Sequence, residues 1–88
     1  MNMKKIIDEI IELPTLPEVA MTLIKLIEDP NSSAADLNKV LVSDVALSAK
    51  ILKLVNSPFY GLREPVSSLK QAIVILGFRT IRSMAVST

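Results

Sequence analysis

Apolar residues recur at helical spacing along most of the chain. Ile6, Ile7, Ile10 and Ile11 share one face of a helix, and Pro14 prevents that helix from continuing, which predicts a first helix over residues 3–12. Five later stripes predict five more helices, and their members are, in chain order, Val19, Leu23 and Ile27; Leu37, Val40 and Leu41; Leu47, Ile51, Leu54 and Val55; Leu69, Ala72, Ile73 and Leu76; Phe78, Ile81 and Ala85. The pattern therefore predicts an all-α bundle of five to six short helices.

Polar residues stand where these helices are expected to begin. Three pairs have capping-box spacing, namely Thr15 with Glu18, Ser33 with Asp36, and Ser68 with Gln71. Ser43 or Asp44 is predicted to cap the helix between the last two. Residues 73–76 have the composition of a strand, but the cap before them and Gly77 after them favour a helix that ends at a glycine.

The longest irregular segment covers residues 56–67, where two prolines and a glycine interrupt the helical pattern. Asn56 is expected to bond the last carbonyls of the preceding helix or to tie down the loop. Phe59 and Tyr60 are expected to anchor the loop to the bundle, and Gly61 to supply a positive φ. The segment is then either a pinned connector or a recognition surface carried on a loop. On the second interpretation the candidate interaction residues are Asn56, Ser57, Phe59, Tyr60 and Gly61.

Composition suggests that the chain buries part of its surface against something else. Its 88 residues weigh 9.6 kDa, and 50% of them are apolar, with a mean hydropathy of +0.46. This excludes a disordered chain, yet a domain so small buries only about 60–65% of its unfolded surface. We therefore expect self-association, with a second copy covering the bundle surface formed by Val74, Ile75, Ile81 and Met84. The C-terminal helix has no stop signal, which suggests an interrupted domain.

Charge and reactive groups narrow the function further. Ten basic and nine acidic residues give a net charge of +1, so electrostatics does not favour nucleic acid as a partner. The chain has no histidine and no cysteine, and we assign no catalytic residue, metal ligand or cofactor. No apolar run approaches the ~20 residues of a membrane span, and the N-terminus does not resemble a signal peptide. The expected location is the cytoplasm.

Three stretches resemble the HDOD family of bacterial signalling proteins: residues 13–18 (LPTLPE), 43–57 (SDVALSAKILKLVNS) and 66–77 (VSSLKQAIVILG). The resemblance implies an all-helical domain longer than this chain, of which residues 1–88 are the N-terminal part. It also implies kinship with HD-type metal-dependent phosphohydrolases, which bind metal through histidines and aspartates. Because this chain has no histidine, no metal ligand can be carried over. Val45 departs from the pattern, since many relatives have proline after the aspartate.

The expected function is a non-catalytic output or regulatory module that contacts other signalling proteins in a bacterium. One alternative is a degenerate phosphohydrolase whose metal site lies outside this chain. Another is a nucleic-acid binder, because residues 33–55 have roughly the spacing of a helix-turn-helix. The second of those helices begins with Asp44, Val45 and Ala46, where a recognition helix needs hydrogen-bond donors that reach base edges.

Overall fold

Five α-helices and one 3₁₀ turn form the secondary structure of residues 16–87, the part of the chain that this computed structural model describes. Their bounds are Pro17–Glu28 for α1, Ala34–Leu41 for α2, Val45–Val55 for α3, Pro58–Tyr60 for the 3₁₀ turn, Leu69–Leu76 for α4 and Phe78–Val86 for α5. No strand occurs within residues 16–87, and residues 73–76 are helical. The all-α prediction is confirmed, while the helix predicted over residues 3–12 lies outside the described residues.

Polar side chains begin α2, α3 and α4, as their spacing predicts. The Oγ of Ser33 accepts a bond from the backbone N–H of Asp36, whose carboxylate accepts the N–H of Ser33 in return at 2.8 Å. These bonds from Ser33 lower the pKa of Asp36. Ser68 accepts from the N–H of Gln71 at 3.2 Å at the start of α4. Asp44, and not Ser43, caps α3.

The start of α1 lies beside the capping box predicted at Thr15 and Glu18. The N-cap is Leu16, which makes no side-chain capping bond, and Pro17 occupies the first helical position. Proline suits this position because its φ is already helical and it has no N–H to satisfy. Thr15 itself lies outside the described residues.

The core lies where α4 meets its neighbours. Helix α4 packs against α2, α3 and α5, and α1 packs against α2 and α5. Eight large side chains are fully buried there, and each contributes about 1.5–3 kcal/mol of transfer free energy; they are Leu23, Leu37, Leu41, Leu47, Ile51, Val55, Ile73 and Ile81. Their stripes are the ones that the sequence periodicity picks out.

The surface predicted for a second copy is much smaller than expected. Ile81 is fully buried, and Ile75 and Met84 are partly buried against the core, so only Val74 is exposed. The reason is the direction of α5. Gly77 ends α4 and directly precedes α5 with φ 86° and ψ 156°, and this turn folds α5 back so that Ile81 lies inside the bundle.

Candidate interaction site

A single side chain closes the loop that follows α3. The Nδ2 of Asn56 donates to the carbonyl oxygen of Val66 at 2.9 Å, and its Oδ1 accepts from the N–H of Val66 at 2.7 Å. We call these two bonds the Asn56 clamp, and residues 56–66 the clamped loop. Val66 is buried, so the clamp fixes the far end of the loop to the bundle. Of the two roles predicted for Asn56, the structure shows the one that ties down the loop.

Inside the clamped loop the chain makes one tight 3₁₀ turn. The N–H of Tyr60 donates to the carbonyl of Ser57 and that of Gly61 donates to Pro58, both at 3.1 Å. Gly61 then reverses the chain in the left-handed region at φ 58° and ψ 33°, as predicted. A Cβ at this position would meet nothing within 4 Å, so the backbone conformation, and not lack of space, favours glycine.

The two aromatic residues of the turn have different environments, so the prediction that both anchor the loop is half wrong. Tyr60 is partly buried and packs against the core. Phe59 is 87% exposed, the highest value among the large apolar side chains of residues 16–87. The rings meet edge to face, with centroids 5.2 Å apart and planes at 79°. Tyr60 therefore holds the turn against the bundle and supports a phenylalanine that faces solvent.

The other exposed side chains of the clamped loop are mixed in character. Leu62 is 39% exposed, and Arg63 and Glu64 are both exposed. These charges have opposite signs, so the loop carries no net charge. The clamped loop thus exposes one large apolar side chain together with charged ones, a mixture common at protein interfaces.

Ser57 has no contact that explains a role in binding. Its Oγ is buried and has no hydrogen-bond partner in the described part of the chain. A buried hydroxyl without a partner is costly, so Ser57 does not stabilise the loop through its side chain. Of the five predicted site residues, Asn56, Tyr60 and Gly61 shape the loop, and Phe59 faces outward.

Asp44 makes a second polar link at the opposite end of α3, which the sequence reasoning missed. It is only 4% exposed; its Oδ1 accepts the N–H of Leu47 at 2.8 Å, and its Oδ2 accepts the N–H of Leu16 at 3.1 Å. The sequence predicted the cap but not the bond to Leu16, 28 residues away. The sequence held one indirect signal for this bond, because Leu16 and Asp44 lie in two of the stretches that resemble the same family.

The start of α3 bears on the nucleic-acid alternative. Val45 is 63% exposed, whereas Ala46 and Leu47 are buried in the core of the bundle. The first turn of this helix therefore offers solvent an apolar side chain where base-reading residues are expected.

The side chains and helix lengths of residues 16–87 bear on two other kinds of site. Among these residues, no three histidine, cysteine, aspartate or glutamate side chains come together in a group that could hold a metal ion. None of the described helices has the length and apolar character needed to cross a membrane.

Comparison with known proteins agrees with this helical fold. The model of the HDOD domain family matches residues 13–88, so the chain belongs to the HDOD family. This is the HD-related family of signalling output domains. An uncharacterised protein of Treponema pallidum (strain Nichols) is 30% identical over 82 residues, which are 93% of this chain and 16% of that protein. The chain thus spans about a sixth of the length of this curated relative. No solved structure matches the chain.

Proposed function

We propose that this HDOD chain is a non-catalytic regulatory module of a bacterial signalling protein, and that it acts by binding another protein through the clamped loop. The observation that carries the proposal is the position of Phe59, 87% exposed on a turn that is fixed at both ends. An aromatic side chain held out from a rigid support is a typical anchor of protein interfaces.

The support under Phe59 favours binding over a chance exposure. The Asn56 clamp, the 3₁₀ turn and the packing of Tyr60 already restrict the backbone on which Phe59 sits. Binding therefore removes little conformational entropy from the loop. Loss of such entropy often opposes association strongly. Burial of the phenylalanine in a partner contributes roughly 1.5–3 kcal/mol.

The chemistry of a partner surface follows from the same features. It needs an apolar pocket that accepts one aromatic ring, and polar groups around it that pair with Arg63 and Glu64. A strongly charged surface gains nothing from a loop whose two exposed charges cancel.

Photo-crosslinking in cells that produce the protein naturally tests this proposal. A photoreactive phenylalanine analogue is placed at position 59, and the same analogue at position 21 serves as the control, because Met21 is also exposed, at 61%, and lies on α1. We expect position 59 to capture a defined set of signalling proteins that position 21 does not. Equal capture from both positions would show that the loop is not the binding surface.

The absence of catalysis is part of the proposal and has its own test. The natural protein is assayed for hydrolysis of phosphodiesters and phosphomonoesters with added divalent metals. We expect no turnover above background. Metal-dependent turnover would favour the degenerate phosphohydrolase.

We also propose weak self-association through the exposed valines of the last two helices. Val74 is 67% exposed on α4 and Val86 is 60% exposed on α5. Sedimentation velocity over a wide concentration range should show a rising average mass, and Val74→Lys should lower it. A mass that does not change with concentration would contradict this expectation.

A further inference from the structure

Asn56 combines a structural role with a chemically labile sequence. It is followed by Ser57, and a small residue after asparagine lets the next backbone nitrogen approach the side-chain amide. Asn56 is exposed, so water also reaches it. The side chain that closes the loop therefore has a sequence context that deamidates readily where the backbone is free to move.

We propose that Asn56 is a protected modification site: the closed loop slows deamidation there, and deamidation, once it occurs, leaves the clamped loop open. The backbone nitrogen of Ser57 attacks the Cγ of Asn56; the new N–C bond forms, the Cγ–Nδ2 bond breaks, and ammonia leaves with the proton from the attacking nitrogen. Water then opens the cyclic imide and gives aspartate or isoaspartate. No reagent besides water is needed.

The product cannot restore the clamp. Nδ2 donates to the Val66 carbonyl at 2.9 Å, and deamidation replaces this donor with a carboxylate oxygen. Two acceptors then face each other at hydrogen-bond distance, and charge repulsion replaces one bond of the pair. The remaining bond, from the Val66 N–H to the other oxygen, then has to hold the loop alone against this repulsion, so the Val66 amide should open more often.

The intact clamp also slows the reaction. The side-chain amide is held by Val66 on both sides, and the attacking nitrogen of Ser57 already donates to the Leu54 carbonyl at 3.0 Å. Attack therefore requires the loop to open first. The loop acts as a latch that is stable when closed and cannot close again after its amide is lost.

The chain provides a matched control for this chemistry. Asn31 is also followed by a serine, and it is also exposed. The N–H of Ser32 is bonded to Asp29 at 3.1 Å, much as that of Ser57 is bonded to Leu54. In the described residues the Asn31 side chain makes no hydrogen bond, so the two sites differ mainly in the clamp.

The experiment incubates the full chain at mildly alkaline pH and follows both asparagines by peptide mapping and mass spectrometry. We expect Asn56 to convert several-fold more slowly than Asn31 in the folded chain, and at a similar rate in concentrated urea. Conversion of Asn56 at least as fast as Asn31 in the folded chain would overturn the inference. If Asn56 also converts several-fold more slowly than Asn31 in urea, the inference fails as well, because the clamp would then not be the cause of the slow conversion.

The second arm measures the open latch directly. Asn56→Asp should raise hydrogen exchange at the Val66 amide, while the core amides of α4 remain protected. It should also change the fluorescence of Tyr60, the only tyrosine in a chain without tryptophan. Unchanged protection of Val66 in Asn56→Asp would refute the latch. Any consequence for partner binding rests on the proposed function, whereas neither arm uses a partner, so the two proposals fail separately.

Discussion

Asp44 gives the sharpest test of how this bundle is held together. It is a buried carboxylate with one oxygen on the first turn of α3 and the other on the N–H of Leu16. Asp44→Ala removes both bonds at once. The protein then loses a helix cap and the link between the start of α1 and the start of α3.

The magnitude follows from the two bonds. Loss of an N-cap to alanine costs about 1 kcal/mol. The N–H of Leu16 loses its acceptor as well. Because Leu16 is 52% exposed, water replaces part of that bond, and the net cost of losing it is about 1 kcal/mol. The free energy of unfolding should fall by about 2 kcal/mol, which lowers the Tm of a domain this size by roughly 8–16 °C.

Two matched variants separate the contributions of the two bonds, and chemical denaturation measures the free energy of unfolding of each variant. Ser68→Ala removes a cap that, within residues 16–87, bonds only to its own helix, and it should cost about 1 kcal/mol. Asp44→Ser keeps a capping oxygen but is too short to reach Leu16, so it should fall between wild type and Asp44→Ala. If Asp44→Ala costs no more than Ser68→Ala, the bond to Leu16 contributes nothing and the reasoning is wrong.

Three further predictions concern single positions. Gly61→Ala should lower the free energy of unfolding by about 1–2 kcal/mol, because alanine is strained in the left-handed region, and Gly61→Asn should lower it less, as urea denaturation can show. Ser57→Ala should not lower the free energy of unfolding and should raise it by up to about 1 kcal/mol, since it removes a buried hydroxyl without a partner. A clearly lower free energy of unfolding in the same assay would mean that the hydroxyl is bonded. The bonds with Ser33 lower the pKa of Asp36 in the folded chain. The stabilisation that this capping box contributes is therefore complete above the ordinary aspartate pKa, and it is lost as the pH falls through the lowered pKa. The stability difference between wild type and Ser33→Ala should therefore shrink in acid.

The helices themselves could be read from the sequence. Each core stripe mixes spacings of three and four residues, as in Ile51, Leu54 and Val55, which only a helix places on one face, and burial on one side of α3 is the direct result. Caps at Ser33 and Asp44 and the turn at Gly61 were equally readable, because local backbone geometry decides them within a few residues. The family resemblance could also be recognised, since it depends on the order of these local patterns.

Tertiary structure decided everything that depends on residues far apart in the chain. Periodicity put Ile81 on an apolar face but could not show that α5 folds back and buries it completely. The aromatic pair illustrates the same limit, because a 3₁₀ turn directs Tyr60 to the core and Phe59 to solvent, and nothing local distinguishes them. Asp44 reaches across 28 residues to Leu16 because packing brings two helix starts together, and a contact of that separation leaves no periodic trace in the sequence.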